Sequence, residues 1–280
     1  MSSDRNLLKK RVLSLIYYCI ALTACVIILT PIIFIIISSF KTETQIFAAP
    51  WSLPQAISFS TYYEIFANYN MGNYFANSIF YSTVSCLICI LITFPAAYAL
   101  SRMHWKASKL TMAYLVSGLM IPIHSILVPL YITVSKIQIS NKFALVFIYA
   151  AATIPTALFL FVGNLKSIPM SIEEAAVIDG CSIPQLLLRI VLPLSRSVTA
   201  SVIVFSFLSV WNDLMLALVF LSNETEKTIQ VGIMRFKDTY FTNYGFLLSA
   251  IVVAIIPTII LFAFLSKQIV SGLTAGAVKE

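Results

Sequence analysis

Long runs without a charged residue constrain the fold of this chain more than any other feature. Five runs contain no Lys, Arg, Asp or Glu and cover residues 12–40, 65–101, 110–135, 143–165 and 239–266. A sixth run, 197–223, is interrupted only by Asp213. Each is long enough to span a membrane, because a helix needs about 20 apolar residues to cross the hydrocarbon core. The runs are continuously apolar, which favours helices over barrel strands. The sequence therefore predicts an all-α membrane protein with six transmembrane helices.

The distribution of charge predicts the topology. Charged residues make up 10% of the chain, against about 25% in soluble domains, which excludes a water-soluble protein. The segments on the side of the two termini carry twelve of the 18 basic residues, and those on the opposite side carry six. Because Lys and Arg in short loops stay on the cytoplasmic side, both termini are predicted to be cytoplasmic. This asymmetry accounts for the net charge of +7, and no basic face interleaved with aromatic residues indicates nucleic-acid binding.

This topology divides the chain into a cytoplasmic N-terminus (1–11), a transmembrane domain (12–270) and a cytoplasmic tail (271–280). A cytoplasmic loop is expected at residues 166–196, between the fourth and fifth spans. The spans are expected near 12–40, 77–100, 110–134, 143–165, 197–221 and 244–266. The protein is predicted to be a multi-pass protein of the cytoplasmic membrane.

Two cysteine patterns in the apolar runs do not indicate a special site. Cys25 follows a basic start and an apolar run, as in a lipoprotein signal, but the run continues to Phe40. A secretory apolar region has about 7 to 15 residues, so we expect an uncleaved first span. Cys86 and Cys89 form a C-x-x-C without a nearby His or a second pair, and we expect buried thiols there.

The sequence contains no motif for nucleotide hydrolysis or other catalysis. G-x-x-x-x-G-K-[ST], G-x-G-x-x-G, H-E-x-x-H and G-x-S-x-G are all absent. We therefore predict that the chain is not an enzyme, has no catalytic residue and binds no metal. Asp213 is the single charged residue inside a run, so the intramembrane carboxylates of a proton-driven carrier are also missing. If the protein moves a solute uphill, the energy must come through a partner.

The 166–196 loop is predicted to contain two short helices. Ser171 and Glu174 have the spacing of a capping box, which predicts the start of the first helix. Gly180 stands where a helix ends in a left-handed residue. Ser182 and Gln185 repeat the box spacing and predict the start of the second helix.

The turn at Gly180 is expected to form a blunt tip suited to insertion into a partner. Ala175 and Ala176 are small enough to let another surface approach closely. Ile178 and Ile183 are apolar candidates on either side of the turn. An interfacial amphipathic linker is the alternative interpretation of the same pattern.

The residues of this loop resemble a known motif. Glu174-Ala175-Ala176, three residues, Gly180, nine residues, Ile190, one residue and Leu192-Pro193 are similar to the E-A-A loop of ABC-importer permeases. Further segments resemble the carbohydrate (maltose-type) importers, on the side of their smaller permease subunit: Asn77-Ser78, Ala96-Ala97-Tyr98-Ala99-Leu100, Trp211-Asn212-Asp213 and 271–279. The chain is thereby identified as resembling a bacterial inner-membrane permease of that family.

The resemblance implies which residues couple this chain to an ATPase. In that family the loop is a coupling helix seated in a cleft of a cytoplasmic ATPase subunit. The positions carried over are Glu173, Glu174, Ala175, Ala176, Asp179, Gly180, Ile190, Leu192 and Pro193. The tail is expected to contact the same subunit through Gly272, Thr274, Gly276 and Lys279, and a frayed tail is the alternative.

The resemblance also implies the partners. They are a second, homologous permease, two ATPase subunits that bind ATP and Mg²⁺, and an extracytoplasmic lipid-anchored solute-binding protein. This chain itself is expected to bind no cofactor, to contact membrane lipids and to bind no nucleic acid.

Four residues at membrane depth are candidates for the substrate pathway. Asp213 is mid-run, where a carboxylate is costly unless it is paired, protonated or hydrated. Asn212 adds an amide, and Trp211 is of the type that covers the apolar face of a sugar ring. A hydrogen bond to the second permease is the alternative for the polar pair. His124 lies between two prolines, where a neutral His bonded to freed backbone carbonyls is the alternative.

The predicted function is that of a permease subunit. With a second permease it forms a pathway for carbohydrate uptake, with an oligosaccharide favoured, coupled to ATP hydrolysis by partner subunits. One alternative within this importer class is glycerol phosphate or a polyol, although no basic cluster suits a phosphate. A self-sufficient secondary carrier needs intramembrane ion-coupling residues or an inverted repeat. An intramembrane enzyme needs paired catalytic groups, whereas Asp213 and His124 are single groups on different spans.

Overall fold

The computed structural model describes residues 2–103, 105–139, 141–237 and 242–277. Within these residues the regular structure is helical, apart from an isolated bridge between Lys237 and Thr242. The α-helices in chain order are α1 (Ser2–Ser38), α2 (Glu43–Ala48), α3 (Ser60–Asn68), α4 (Met71–Arg102), α5 (Ser108–Ser117), α6 (Leu127–Ile137), α7 (Asn141–Leu165), α8 (Met170–Ile178), α9 (Ile183–Leu186), α10 (Leu192–Leu194), α11 (Arg196–Trp211), α12 (Met215–Phe220), α13 (Ile229–Met234) and α14 (Tyr244–Ala277). The helical class predicted from the sequence is confirmed for these residues.

Four of these helices are long and apolar enough to cross a membrane without interruption. They are Lys10–Ser38 within α1, the whole of α4 and α7, and Tyr244–Gln268 within α14. Two further pairs of helices reach the required length only across a sharp bend, so that the described residues hold four candidate spans, or up to six if each bent pair is one span.

The predicted third span, near 110–134, is not one continuous helix. Ser108–Met120 and Ile123–Ile137 meet at an angle of 87°. Pro122 has no backbone N–H and disfavours the helical conformation of the residue before it. Ile121 accordingly adopts φ −95° and ψ 111°. The chain therefore bends at Pro122 sharply enough to break the helix.

The predicted fifth span, near 197–221, also differs from a single helix. α11 ends at Trp211, and the helix resumes only with α12 at Met215. At the N-terminal end of α11, the helical segment Ile183–Leu194 meets α11 at an angle of 83°. A turn of π-helix at Leu187–Val191 and Pro193 in the following turn precede this bend. Both features disturb regular helical hydrogen bonding, so the chain changes direction there.

One compact unit comprises 70–234 and 254–280. Here α4 packs along α7 and α11, and the core forms two clusters. One cluster contains Tyr81, Tyr149 and Phe220. The other contains Phe161 and extends into the 166–196 loop through Ala176 and Leu186. The loop is therefore seated on the ends of α4 and α7.

The other compact unit comprises 1–69 and 235–253. The Ser39 hydroxyl lies 2.7 Å from the Tyr62 hydroxyl, and the Ser249 hydroxyl donates to the Ser39 carbonyl at 3.2 Å. Burial raises the pKa of the Tyr62 hydroxyl, and hydrogen bonds with Ser39 and Ser249 oppose the shift. The most apolar stretch of Lys10–Ser38 is not buried by any described residue. This exposure suits a helix surrounded by lipid or by another subunit.

Candidate functional site

The first helix of the 166–196 loop begins earlier than its sequence predicts. Pro169 is the N-cap of α8, without a side-chain cap, and the Pro169 carbonyl accepts from the Ile172 amide at 3.4 Å. Ser171 therefore already lies inside the helix, where its hydroxyl has no N-terminal amide to accept. The predicted Ser171–Glu174 capping box is wrong for this reason.

The turn at Gly180 has the predicted geometry. Gly180 has φ +84°, a conformation that residues with a Cβ atom adopt only with strain. Its amide donates to the Val177 carbonyl at 3.0 Å, and the Cys181 amide donates to the Ala176 carbonyl at 3.0 Å. This pair of bonds is the Schellman arrangement, which satisfies the last carbonyls of α8. The predicted left-handed glycine is confirmed, with Asp179 as the exposed last residue before it.

The second capping box is also confirmed. The Ser182 amide donates to Gln185 Oε1 at 3.0 Å, and the reciprocal cap is present at the start of α9. Pro184 stands in the first turn, where its missing N–H has no cost. The helix continues through the π turn, in which Ile190 is half-buried, to Leu192, also half-buried, and the exposed Pro193.

The loop presents an apolar surface that nothing described in this chain covers. We call Val177, Ile178 and Ile183 the apolar tip; their exposed fractions are 58%, 85% and 58%. Glu174 and Ala175 are exposed on the same helix, whereas Ala176 is buried. Exposed apolar residues beside a rigid turn are typical of a surface that meets a partner. The small Ala176 thus serves internal packing, not close approach of another surface.

The two adjacent glutamates of the loop have different environments. Glu174 is exposed, but Glu173 is buried and its Oε1 lies 2.7 Å from Nη2 of Arg102. The Tyr98 hydroxyl donates to Glu173 Oε2 at 2.9 Å. Sequence reasoning placed Glu173 with the coupling residues but missed Tyr98 and Arg102. The sequence spacing did contain a signal that Glu173 is buried, because Glu173 and the buried Ala176 lie three residues apart on one helix face.

The predicted tail residues fall at the edge of the described chain. Gly272, Thr274 and Gly276 are part of α14, which ends at Ala277. The Thr274 side chain and Lys279 lie outside the described part of the chain.

A cavity of about 350 Å³, lined by both polar and apolar residues, lies where two helices are interrupted. His124 comes from the bend after α5, and Asn212 and Asp213 come from the break between α11 and α12. Tyr149 and Thr153 of α7 also line it. The structure therefore brings three of the four predicted pathway residues to one cavity.

A second cavity of about 220 Å³ adjoins the first. It shares Thr153 and Ser209 with the first cavity and adds Thr156 and Ser206. Hydroxyl side chains of this kind both donate and accept hydrogen bonds, as the hydroxyls of a polar solute require.

Asp213 is held by groups of this chain. Its Oδ1 accepts from the Tyr149 hydroxyl at 2.8 Å and from the amides of Leu216 and Ala217 at 3.0 and 3.2 Å. The carboxylate thus satisfies amides at the start of α12, which have no partner within the helix. These bonds account for a carboxylate in an apolar segment without requiring a second subunit.

The other two predicted pathway residues differ in their surroundings. Trp211 is 1% exposed, its indole nitrogen donates to the Ala254 carbonyl at 3.0 Å, and its ring stacks on Phe207. Trp211 therefore packs in the core and does not line the cavity. The His124 side chain is exposed at the bend and makes no hydrogen bond to a residue that the structure describes. Within the described ranges no cluster of three His, Cys, Asp or Glu suits a metal.

Comparison with known families identifies the family of this chain. Residues 89–274, which include the loop, both cavities and most of α14, match the binding-protein-dependent transport system inner membrane component family. The chain belongs to this family. It is a permease subunit of an ABC transporter, and the resemblance seen in the E-A-A loop is confirmed.

Relatives match over nearly their whole length. The inner membrane ABC transporter permease protein YcjP of Escherichia coli K12 is 34% identical over 280 residues, covering 96% of this chain and 98% of that protein. The melibiose/raffinose/stachyose import permease protein MelC of Bacillus subtilis 168 is 33% identical, covering 92% and 94%.

A solved structure shares the fold. The crystal structure of a bacterial ABC transporter involved in the import of the acidic polysaccharide alginate contains a chain that superimposes with a TM-score of 0.80. The match covers 92% of this chain and 97% of that one, at 22% sequence identity.

Proposed function

We propose that this chain is one of two homologous permeases in an importer for a carbohydrate. The other members are two ATPase subunits, which bind ATP and Mg²⁺, and an extracytoplasmic lipid-anchored solute-binding protein. The observation that carries this proposal is the apolar tip, because it is exposed and yet rigidly held. A left-handed glycine, a capping box and the buried inner face of the loop fix its position.

The tip is proposed to insert into a cleft of an ATPase subunit. Ile178 and Ile183 supply apolar contact, and the exposed Glu174 is the polar anchor beside them. Burying one such side chain is worth about 1.5 to 3 kcal/mol. Closure of the ATPase pair would then push the loop against the ends of α4 and α7. We propose that the C-terminal tail at Gly272–Lys279 meets the same subunit.

This arrangement requires the loop and both termini to be cytoplasmic. The excess of basic residues on the side of the termini supports that orientation. The neighbourhood of the loop agrees with it, since Lys166, Arg189 and Arg196 lie within or beside it. The protein is accordingly proposed to reside in the inner membrane of a bacterium.

The two cavities are proposed to form part of the solute pathway. The described residues that line them include hydroxyls, an amide and the carboxylate of Asp213, but no Lys or Arg. This lining suits an uncharged solute rich in hydroxyls better than a phosphorylated one. An oligosaccharide fits both this chemistry and the named solutes of the Bacillus subtilis relative.

Reconstitution with an ATPase subunit tests the proposal. The wild-type permease pair should retain the ATPase through affinity purification, and the assembled complex should hydrolyse ATP faster when the sugar-loaded binding protein is added. Gly180→Trp should abolish retention, because it strains the φ +84° turn and places a bulky ring beside the tip. Gly163→Ala is the matched control, since its new Cβ meets no atom within 4 Å.

Two outcomes would contradict the proposal. One is retention of the ATPase by Gly180→Trp at the wild-type level. The other is solute accumulation in vesicles that contain this chain without any ATPase, which would identify a self-sufficient carrier.

A further inference from the structure

We infer that Tyr98, Arg102 and Glu173 form a strut that carries the movement of the 166–196 loop into the transmembrane helices. We call these three residues the strut. The inference rests on the proposed function, and it assigns to Glu173 a positioning role inside this chain and not a contact with the ATPase.

The strut joins the last turn of α4 to the loop at three points. Nη2 of Arg102 lies 2.7 Å from Glu173 Oε1 and donates to the Ile168 carbonyl at 2.7 Å. One guanidinium nitrogen thus holds both α8 and the chain that enters it. Tyr98, one turn earlier on α4, donates to the other carboxylate oxygen of Glu173 at 2.9 Å. Both oxygens of Glu173 are consequently fixed from the same helix.

The ion pair of the strut is shielded from solvent, whereas Tyr98 is half-buried. The side chains of Arg102 and Glu173 are 10% and 4% exposed. Burying an ion pair costs desolvation and often gives little net stability compared with apolar packing. A buried pair does, however, penalise any arrangement in which one partner moves away and leaves the other charge unpaired. Such a pair suits a joint that must transmit displacement.

Apolar packing beside the strut keeps the two parts in register. Ala176 and Leu186 of the loop are buried in the same cluster as Ala97 and Leu165, near the ends of α4 and α7. This packing alone would allow small sliding movements, because apolar contacts are not directional. The hydrogen bonds from Tyr98 to Glu173 and from Arg102 to the Ile168 carbonyl add the missing direction.

The strut is also connected to the cavity through α4. The Ser85 hydroxyl of α4 donates to the Val146 carbonyl of α7 at 3.0 Å, in a buried position. One turn further along α7, Tyr149 holds Asp213 at the break after α11. A displacement of the α4 end can therefore reach the cavity wall through the α4 helix itself, the Ser85–Val146 hydrogen bond and the neighbouring turn of α7.

The test uses the full complex of two permeases and two ATPases in vesicles. Ser209→Cys provides a reporter in the cavity, after the native cysteines at 19, 25, 86, 89 and 181 are replaced by Ser. The readouts are retention of the ATPase, ATP hydrolysis, and the change that ATP with vanadate causes in the rate of labelling by a maleimide. None of them depends on knowing the sugar.

Glu173→Gln should keep the ATPase bound and reduce the ATP-dependent change in labelling by about tenfold, within the usual range of coupling between distant sites. Tyr98→Phe should reduce it less, because the ion pair remains. The exchange Arg102→Glu with Glu173→Arg should restore part of the response, which a general loss of structure would not allow. Glu43→Gln, an exposed carboxylate in α2, is the matched control and should behave as wild type.

Three results separate the possible failures. If the unsubstituted reporter complex retains no ATPase, the proposed function itself is wrong. If Glu173→Gln loses the ATPase while Glu174→Gln retains it, Glu173 is an ATPase contact and the strut is overturned. If Glu173→Gln keeps the full labelling response, the strut does not transmit movement and the inference is likewise overturned.

Discussion

Two buried or half-buried carboxylates in this chain are held in a similar way, each by a tyrosine and by further donors. Glu173 is bonded to Tyr98 and paired with Arg102. Asp213 is bonded to Tyr149 and to two backbone amides at the start of α12. An acidic side chain in an apolar protein interior requires such donors, because the unpaired group loses its hydration without compensation. The two sites therefore fix the chain where regular helices end.

Asp213→Ala should destabilise the protein by about 1–3 kcal/mol, because it leaves the Tyr149 hydroxyl and two helix amides unsatisfied. Asp213→Asn is the matched variant; it keeps an oxygen acceptor and should cost less than about 1 kcal/mol. The measurement is the temperature at which the purified permease loses its monodisperse state in detergent. Equal midpoints for wild type and Asp213→Ala would show that the capping bonds contribute nothing.

Gly232→Ala should also destabilise the protein, by about 1–3 kcal/mol, through overpacking. A Cβ atom at this position would lie 2.9 Å from Cε2 of the Tyr74 ring and closer still to Cδ2. The ring is buried and its hydroxyl is bonded to Glu224, so it cannot move aside freely. Gly163→Ala, which meets no atom within 4 Å, is the control. Unchanged thermal stability of Gly232→Ala would contradict the close packing of α13 on α4.

At the level of helices, the interruptions matter more than the continuous spans. The sequence predicted the apolar segments well, since the run of uncharged residues directly reports the length available to cross a membrane. It predicted less well where those segments break. Pro122 indicated the bend after α5, but nothing in the Trp211-Asn212-Asp213 segment alone required α11 to stop. The Asp213 carboxylate beside that stop accepts a hydrogen bond from Tyr149, which lies 64 residues away in the sequence.

The two predicted capping boxes illustrate the same limit. The boxes at Ser171 and Ser182 have equivalent local patterns, yet only the second forms. Pro169 starts α8 first and places Ser171 inside it. The tertiary contact of Glu173 with Arg102 then fixes which face of α8 is buried. Spacing alone could not rank these competing starts.

Ser182→Ala should therefore weaken the start of α9 by about 1 kcal/mol. Ser171→Ala is the matched control and should have no comparable effect, because Ser171 caps no helix. Hydrogen exchange of the amides at Gln185 and Leu186, followed by mass spectrometry, measures the difference. Faster exchange in Ser171→Ala than in Ser182→Ala would contradict the assigned helix starts.

For the molecule as a whole, composition predicted an integral membrane protein, and the spacing of the E-A-A loop predicted the permease family. The residues proposed for the solute pathway are brought together only in part. His124, Asn212 and Asp213 meet at one cavity, whereas Trp211 packs in the core because its ring stacks on Phe207 and Phe75 lies edge-on to it. Apolar and amphipathic rings look alike in a sequence, and only packing distinguishes a core tryptophan from one that faces a cavity.

The lining of the cavities predicts a preference among solutes. In the reconstituted complex, a neutral oligosaccharide such as raffinose, presented by its binding protein, should stimulate ATP hydrolysis. Glycerol phosphate presented in the same way should not, because no Lys or Arg among the described lining residues can balance its charge. The rate of phosphate release measures both. Stronger stimulation by the phosphorylated solute would favour the alternative substrate class.

The first cavity is lined by residues from two helix interruptions, the bend at Pro122 and the gap between Trp211 and Met215. Backbone carbonyls at the end of a helix have no amide partner in a following turn, so some of those at these interruptions can accept a hydrogen bond from a polar solute. A peptide group cannot be deleted by exchanging one amino acid for another. The polarity that these carbonyls give to the first cavity thus depends on the path of the main chain and not on side-chain identity. The surrounding side chains can therefore differ between related permeases with different solutes.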